Sequence, residues 1–478
     1  MTTTEEFHAL LGDLSEVPAD YIRDVAWTKR VLERWSTDRA FRERYAADPA
    51  QALAQIAAPL TPEQVRPFID ESAAVTDTDT LPRSARRYRA FLREKLAFRA
   101  GIRTEGEAAD PRMAAWRRRQ LKRCAGELGA GRSEAIVHAP AAFELSKGCT
   151  VGCWFCGVAA PKFDHTWRYT DDHATLWRDT LTTMRGIVGD PLRQSFLYWA
   201  TDPLDNPDYE HFLTDFHRVL GRCPQTTTAI GHKDTERTRA LLRLAAAHGS
   251  VIDRFSIIAL SALNRLHEAF TAEELLRVEC VPQNKEAAKP YAKSNAGRAR
   301  RFAHKRGDEL VPDDDSSTIA CVSGFLLNMT DRSVRLVTPC DASDRWPLGY
   351  WVLGEGTFDT AAELGELLED LIATRMRTRL RLTDPVRLRR DLDVTVADGR
   401  LTATARGQRL TVTDQPDPDD LADLLTRGTD TAEEFALHRE RRSSVPLTHT
   451  LAWLGGLFDN GLLDEEPAPA LVLEPAAS

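Results

Sequence analysis

Between residues 140 and 304 the chain alternates short apolar runs with segments of helical periodicity, and this alternation limits the fold more than any other feature. It implies a parallel sheet with helical crossovers. Because such crossovers are right-handed, the sheet tends to curl into a full or partial barrel, with sites beyond the carboxyl ends of its strands. Strands are predicted at AFEL (142–145), SFLYWA (195–200), TTTAI (226–230), RFSIIAL (254–260) and LLRVECV (275–281). Helices are predicted at 172–187, 208–220, 234–247, 262–270 and 285–304.

The flanking segments have other patterns. Residues 1–125 repeat apolar residues at helical spacing, most regularly over 25–56, where the repeat breaks at Asp48-Pro49. A further helix is predicted to begin with Thr61 as its N-cap and Pro62 at its first position. Near the C-terminus, three short strands precede three helical segments. The predicted fold is therefore α/β: a partial (β/α)6 TIM-like barrel (140–345), an N-terminal helical region (1–125), a C-terminal winged-helix-like α+β module (388–466) and a disordered tail (467–478).

Two apolar runs within residues 321–340 flank the polar turn MTDRS, a pattern typical of an antiparallel hairpin. If the turn centres near Thr330 and Asp331, then Cys321 and Cys340 face each other at the open end of the hairpin.

Length, charge and cysteine spacing limit the classes of protein to which the chain can belong. The chain has 478 residues, which suits two to four domains, and its net charge of -9 argues against a nucleic-acid partner. No apolar run approaches the roughly 18 residues of a transmembrane helix, and the first residues lack the features of a signal peptide, so no membrane is expected. The eight cysteines are spaced unevenly, which is typical of reduced thiols and metal ligands in a cytoplasmic protein.

The strongest motif is ELSKGCTVGCWFCG (144–157), which places Cys149, Cys153 and Cys156 directly after a predicted strand. Three thiolates on one short loop can ligate three irons of a [4Fe–4S] cluster and leave the fourth iron open for S-adenosyl-L-methionine. The alternative is a zinc site or three unrelated cysteines. Zinc takes four ligands, however, and the nearest histidines, His138 and His165, are not at short spacing.

The C-x3-C-x2-C spacing, with the aromatic Phe155 before the third cysteine, resembles the signature of the radical S-adenosylmethionine (radical SAM) superfamily. The resemblance implies the barrel, one [4Fe–4S] cluster, S-adenosyl-L-methionine and a one-electron reductant such as flavodoxin or ferredoxin. It also implies a 5′-deoxyadenosyl radical as the reactive species.

A second cofactor contact is predicted where the strand at 195–200 ends. Ala200, Thr201, Asp202 and Pro203 stand where radical SAM enzymes usually carry Gly-Gly-Glu-Pro, although here aspartate replaces glutamate and the glycines are missing. Asp202 can accept charge-assisted hydrogen bonds from the amino group of the cofactor. Alternatively, it caps the following turn.

Later strands end in further polar residues. Thr228 and Lys233 in TTTAIGHKD and Ser261 and Asn264 in ALSALNR can reach the ribose or the carboxylate of the cofactor. Each can equally be a helix cap or a surface residue.

Four segments narrow the resemblance: HAPAAFELSKGCTVGCWFCGVAA, YWATDPLDNPDY, SGFLLNMTDRSVRLVTPC and DRWPLGYWVLGEGTF. Together they are similar to the proteusin-type peptide epimerases, over roughly residues 110–360. This family matures ribosomally synthesised peptides. The resemblance implies that L-residues of a precursor peptide, which has a leader and a core, become D-residues. The radical abstracts a Cα hydrogen, and a protein cysteine returns a hydrogen atom to the opposite face.

Three cysteines are candidates for that hydrogen-atom donor. Cys340, which follows the strand VRLVT, is the first choice, ahead of Cys321 and Cys280. Cys124 and Cys223 are expected away from the strand tips. The alternative for each cysteine is a buried small apolar residue.

Two other functions remain open. The hairpin cysteines are similar to the start of an auxiliary-cluster domain, but no cysteine follows Cys340, so a second cluster is not expected. This favours epimerisation without excluding a peptide maturase that makes thioether or carbon–carbon crosslinks. A non-catalytic leader-peptide-binding protein is the third alternative.

The C-terminal module is similar in layout to the peptide-recognition domains of this biosynthetic class. Such a domain binds a leader peptide as an added strand, here at 401–413, packed on a helix at 447–463 that carries Trp453 and Phe458. A plain structural domain is the alternative. Residues within 25–56 also resemble the leader peptides themselves.

Overall fold

The computed structural model describes residues 7–70, 80–104, 106–288, 295–307, 321–413 and 415–467. Over these residues the chain is a mixed α/β protein with many helices and several small sheets. Within the described ranges, no helix is long and apolar enough to cross a membrane. The predicted disordered tail lies outside them apart from Pro467.

The N-terminal region is helical, as its apolar spacing predicts. The stretch 25–56 is divided where aspartates cap the helices that follow. Asp38 accepts a hydrogen bond from the Phe41 N–H at 3.1 Å, and Asp48 accepts one from the Gln51 N–H at 2.9 Å. The helices are α1 (Ala19–Thr37), α2 (Arg39–Ala47), α3 (Pro49–Gln55), α4 (Pro62–Ile69), α5 (Arg83–Thr104), α6 (Pro111–Leu128) and α7 (Ala130–Ala135).

Thr61 is the N-cap of α4, as predicted. Basic side chains of α1 and α2 dock this helical region onto main-chain carbonyl groups further along the chain. Lys29 donates to the Leu275 carbonyl at 3.0 Å, and Arg42 donates to the Glu286 carbonyl at 2.7 Å. The N-terminal helices are therefore packed against the α/β region.

The next region alternates strands and helices. Its strands are β1 (Ala139–Glu144), β2 (Ser146–Lys147), β3 (His165–Thr166), β4 (Thr227–Thr228), β5 (Asp253–Ile257) and β6 (Val278–Pro282). Its helices are α8 (Asp171–Val188), α9 (Tyr209–Leu220), α10 (Thr235–Ala247), α11 (Leu260–Ala269) and α12 (Gly297–Arg306).

Two predicted elements of this region are wrong. Residues 195–200 do not form a strand: Phe196 makes a single parallel bridge to Ala142, and the chain then turns, with Ala200 in the left-handed region (φ 52°). The predicted helix at 285–304 begins at Gly297. Residues 285–288 are not helical: the Ala288 N–H donates to the Ser36 carbonyl of α1, instead of to a carbonyl one helical turn earlier in its own segment.

The parallel strands are divided between two sheets. One sheet has the order β4-β5-β6, and the other has β1 parallel to β7 (Val322–Asn328), followed by the antiparallel strands β8 (Ser333–Pro339) and β9 (Tyr350–Thr357). In the described part of the chain, β7 pairs with β1 and β8, and no pairing joins it to β6. The predicted barrel therefore remains a prediction.

β7 and β8 form the predicted hairpin, with paired residues from Asn328–Ser333 to Gly324–Val337. The same register, continued, places Cys321 opposite Cys340. These residues lie at the edge where β1 and β7 begin, opposite the carboxyl ends of the parallel strands. Helix α13 (Ala361–Arg375) follows β9 and packs beside α8.

The C-terminal region has three antiparallel strands followed by three helices, as predicted. They are β10 (Asp393–Ala397), β11 (Arg400–Thr404), β12 (Arg409–Val412), α14 (Pro418–Arg427), α15 (Ala432–Ser443) and α16 (Leu447–Asp459). The segment 401–413 is not a single edge, because β11 is central and β12 is the outer strand. The winged-helix layout remains a prediction. Arg119 of α6 holds Glu465 through two hydrogen bonds of 2.8 and 2.9 Å, which join this region to the rest.

Candidate functional site: a three-thiol loop beyond β1

The loop that carries Cys149, Cys153 and Cys156 begins just beyond the carboxyl end of β1. We call residues 148–162 the thiol loop. Its two ends are held together, because the Cys149 N–H donates to the Pro161 carbonyl at 3.0 Å and the flanking strands β2 and β3 pair with each other. The loop is thus closed at its base by backbone hydrogen bonds.

Gly148 makes this closure possible. Its φ is 80°, and a Cβ atom there would lie 2.2 Å from the Lys162 carbonyl oxygen. Gly152 also has a positive φ, of 64°, but nothing lies within 4 Å of its added Cβ. The backbone conformation therefore favours glycine at both positions, and at Gly148 the lack of space for a Cβ atom also requires it.

The three thiols are free and half-buried. Burial raises the pKa of Cys153 to about 11, with smaller contributions from the neighbouring Cys156 and Cys149 and an opposing one from the Arg298 guanidinium. Among the described residues, the loop sulfurs do not form a group whose atoms all lie within 4.8 Å of one another. Two thiolates on one zinc, each bonded at about 2.3 Å, can be at most about 4.6 Å apart. In a cluster each thiolate binds a different iron, so the three sulfurs need not converge on one point.

Two residues that the sequence analysis missed hold the thiol loop in place. Asp205 accepts from the Thr150 N–H at 2.9 Å and from its hydroxyl at 2.6 Å. Arg298, at the start of α12, donates through its backbone N–H to the Cys156 carbonyl (2.9 Å) and through its guanidinium to the Ala160 carbonyl (2.8 Å). The sequence offers two signals for the contact of Asp205: the threonine that follows Cys149, and the Asp-Pro and Asn-Pro pairs on either side of Asp205. It offers no signal for the contacts of Arg298.

Asp202 lies beside the loop, and Thr228 is bonded to it. One Asp202 carboxylate oxygen accepts from the Thr228 hydroxyl at 2.7 Å and from the Leu204 N–H at 3.1 Å; the other accepts from the Ala229 N–H at 2.7 Å. Burial raises the pKa of Asp202 to about 6. The pKa of Cys149 is also raised, mainly by burial, and the Asp202 carboxylate adds to that effect. Asp202 thus caps the turn that follows it and also lies close to the first thiol.

The other candidate cofactor contacts have different surroundings. Lys233 and Ser261 are exposed, and the amide oxygen of Asn264 accepts a hydrogen bond from Arg34 of α1. The hydroxyl of Thr201 reaches the carbonyl of the adjacent Asp202 at 3.4 Å. Asn264 is therefore turned toward the N-terminal helices rather than toward the thiol loop.

Aromatic side chains cover the outer part of the loop. Trp154 is half-exposed, and its ring lies 5.6 Å from that of Phe155 and 5.0 Å from that of Phe302 on α12. Ala200 packs in the same hydrophobic cluster as Val158 of the loop. Phe155 is thus part of the loop, and Ala200 shares a hydrophobic cluster with it.

The three candidate donor cysteines lie in different surroundings. Cys340 is buried against Trp346 and Trp351. Cys321 packs beside Cys124, which is on α6. Cys280 belongs to the apolar layer between β6 and α11. None of the described contacts of these three thiols is with a thiol of the loop.

A second group of polar side chains lies near the carboxyl end of β1. A carboxylate oxygen of Glu144 accepts from the Asn328 side chain at 2.6 Å, while Arg335 pairs with Glu355 at 3.2 Å. Burial raises the pKa of Glu144 to about 8, against the lowering effect of Arg335. This carboxyl group is therefore largely protonated at neutral pH.

Comparisons with known proteins place the chain in a family. No family model matches it. The chain is 39% identical over 382 residues to "Uncharacterized protein y4wI" of Sinorhizobium fredii (strain NBRC 101917 / NGR234), an alignment that spans 79% of this chain and 74% of the relative. The chain therefore belongs to the y4wI family.

Among solved structures, the crystal structure of BtrN in complex with AdoMet and 2-DOIA matches 29% of this chain. The match spans about half of BtrN, 55% of that chain, with 15% identity and a TM-score of 0.23. A likeness at this level carries no argument about the fold or chemistry of the present chain.

Proposed function

We propose that the chain is a radical SAM enzyme that converts L-residues to D-residues in a ribosomally synthesised precursor peptide. The observation that carries the proposal is the thiol loop, which follows a parallel strand, is closed at its base by backbone hydrogen bonds and bears three free, half-buried thiols in the order C-x3-C-x2-C. When bound, a [4Fe–4S] cluster and S-adenosyl-L-methionine would supply the radical that removes a Cα hydrogen atom.

The residues around the loop have separate tasks in this proposal. Cys149, Cys153 and Cys156 would each hold one iron of the cluster. Asp202 would accept hydrogen bonds from the amino group of the cofactor. Asp205 keeps the loop in the geometry that the cluster requires, through its two hydrogen bonds to Thr150.

Return of a hydrogen atom requires a thiol that stays protonated. Burial raises the pKa of Cys340 well above its ordinary value, so this thiol is neutral throughout the physiological range. The segment after Cys340 also runs back to the loop: the Pro347 carbonyl accepts from the Gly297 N–H at 2.7 Å, and an added Cβ on Gly297 would lie 2.6 Å from the Cys156 carbonyl oxygen. Cys340 is the first candidate donor of the proposal, Cys321 the second and Cys280 the third. Because Cys340 and Cys321 lie at the edge where β1 and β7 begin, the peptide would have to extend from the thiol loop toward that edge for either thiol to reach its Cα.

The precursor peptide would be held by the C-terminal region. β12 is an outer strand of its sheet, and among the described residues no further strand pairs with it. An extended leader segment can add to such an edge through main-chain hydrogen bonds. Hydrogen exchange of the full chain tests this: the leader should protect amides of β12 but not those of β10, the opposite edge. Equal protection of both edges, or of neither, contradicts the docking.

The first experiment tests the cluster and the cofactor. Anaerobically reconstituted chain, reduced and supplied with S-adenosyl-L-methionine, should form 5′-deoxyadenosine. Replacing the loop thiols (C149A, C153A, C156A) should abolish both iron binding and this product. The matched control is C223A, since Cys223 is a buried thiol bonded to the Leu213 carbonyl and far from the loop in sequence. Product formation that survives loss of all three loop thiols refutes the proposal.

The second experiment tests epimerisation. The chain is co-expressed in deuterated water with the peptide encoded beside it. The peptide should gain one deuterium at each converted Cα and change chirality, with its connectivity unchanged. C340A should still form 5′-deoxyadenosine while epimerisation stops. A product that has lost hydrogen instead identifies a crosslinking enzyme, and full epimerisation by C340A moves the donor role to Cys321.

A further inference from the structure

A carboxylate, an imidazole and a thiol meet where α1 packs against the α/β region. Glu33 comes from α1, His267 from the last turn of α11, and Cys280 from the middle of β6. Their ligand atoms all lie within 4.8 Å of one another. These residue types come from three separate elements, so the fold itself brings them together.

Each of two of these side chains has a buried polar atom without a hydrogen-bond partner among the described residues: Nε2 of His267 and Oε2 of Glu33. The other carboxylate oxygen of Glu33 is engaged, since it accepts from Lys29 at 2.6 Å and from the Cys280 N–H at 3.0 Å. A buried polar group left unsatisfied destabilises the folded chain. A bound species would satisfy both atoms.

The protonation state of His267 suits a metal ligand. Burial lowers the pKa of His267 well below its ordinary value, and the cations Arg30 and Arg34 add to that effect. The imidazole is therefore neutral, as metal binding requires. Both arginines are directed elsewhere: Arg30 donates to the Phe270 carbonyl and Arg34 to Asn264.

The thiol of Cys280 is protonated in the metal-free site, because burial raises its pKa well above the ordinary value. A divalent ion such as zinc deprotonates a coordinating thiol outright, so binding releases this proton to solvent. Glu33 and the Cys280 thiolate together would then balance the two positive charges of the ion.

We propose that Glu33, His267 and Cys280 form a site for a zinc-class divalent ion at the junction of α1, α11 and β6. One nitrogen, one oxygen and one sulfur donor are a set that zinc accepts, and three protein ligands leave a fourth position for water. The ion would fasten the N-terminal helices to β6. None of its ligands belongs to the thiol loop, but the two proposals meet at Cys280: with the ion bound, Cys280 is a thiolate and is no longer a candidate hydrogen-atom donor.

The test uses the full chain with its cluster in place. After dialysis, the protein should retain one zinc per chain, and zinc-edge X-ray absorption should show one sulfur and the rest nitrogen or oxygen. Because the method reads zinc alone, iron in the thiol loop does not interfere. Three sulfurs around zinc would mean that the ion has entered the thiol loop, and this result overturns the proposal. Absence of bound zinc overturns it as well, since the space then holds only water.

Variants assign the ligands. C280A and H267Q should each lower zinc affinity at least tenfold, and C280A should remove sulfur from the zinc spectrum. The matched control is C223A, which removes a different buried thiol and should leave zinc binding unchanged. If C280A fails to fold, E33Q, which preserves the size of the side chain, provides the same affinity measurement. Undiminished zinc binding in these variants contradicts the assignment.

Discussion

Replacing Gly148 by alanine should damage the thiol loop far more than the same change at Gly152. Both residues have positive φ, so alanine pays a conformational cost of about 1–2 kcal/mol at either position. At Gly148 the new Cβ also meets the Lys162 carbonyl oxygen at 2.2 Å, which must retreat by about 1.2 Å to reach an ordinary contact of 3.4 Å. At Gly152 the new Cβ meets nothing within 4 Å.

The retreat of Lys162 strains the hydrogen bonds that close the loop. The Cys149 N–H bond to Pro161 (3.0 Å) and the Asp164 N–H bond to Lys147 (2.9 Å) flank the clash. Each is worth about 1 kcal/mol. G148A should therefore lose about 1–3 kcal/mol more than G152A. If this loss of free energy falls on cluster binding, the affinity of G148A for the cluster should be about 5- to 150-fold lower than that of G152A.

The assay is anaerobic reconstitution of both variants side by side, with iron per chain and resistance of the cluster to a chelator as readouts. G152A should load and keep iron nearly as the parent chain does, whereas G148A should load less and release it faster. Equal iron content and equal release rates in the two variants would show that closure of the loop at Lys162 does not set the geometry of the thiols.

Two further predictions concern the surroundings of the loop. D205A removes both hydrogen bonds to Thr150, and it should speed release of iron to a chelator without preventing folding; an unchanged release rate contradicts the anchoring role. Glu144, whose pKa is raised from 4.5 to about 8, contributes stability that is full below pH 4.5 and lost as pH rises through 8. The shift of about 3.5 units corresponds to at most about 5 kcal/mol. Between pH 5 and 8, the free energy of unfolding should therefore fall more steeply for the parent chain than for E144Q in chemical unfolding experiments. Parallel pH profiles of the two proteins would show that Glu144 is not a neutral, buried group.

The sequence predicts those parts of the fold that depend on neighbouring residues. The hairpin of β7 and β8 follows from a polar turn between two apolar runs, and Thr61 caps α4 because capping chemistry is local. The stretch 195–200 has the composition of a strand, yet Phe196 makes a single bridge and the chain turns by Ala200. Apolar runs of this length do not show where the chain will turn.

The candidate site was predictable to a similar extent. The thiols belong to a short motif that can be recognised from its spacing alone. Asp202 caps the turn that follows it, as one of its two interpretations predicts, and its contact with a cofactor stays a prediction. The bond between Thr150 and Asp205 spans 55 residues, and only the folded chain reveals it. Which face of the sheet Cys280 occupies depends on the register of β6, and a shift of one residue would move it to the other face. The apolar pattern of the sequence does not fix that register.

The docking of the N-terminal helices has a consequence for divergence within the family. Lys29 and Arg42 bond to the carbonyls of Leu275 and Glu286, and these acceptors exist whichever side chain those positions carry. Substitutions on that side of the sheet should therefore accumulate without loosening the helices, provided that the two cations remain. Hybrids that join the first seventy residues of one member to the remainder of another should assemble even when the exposed residues around the seam differ.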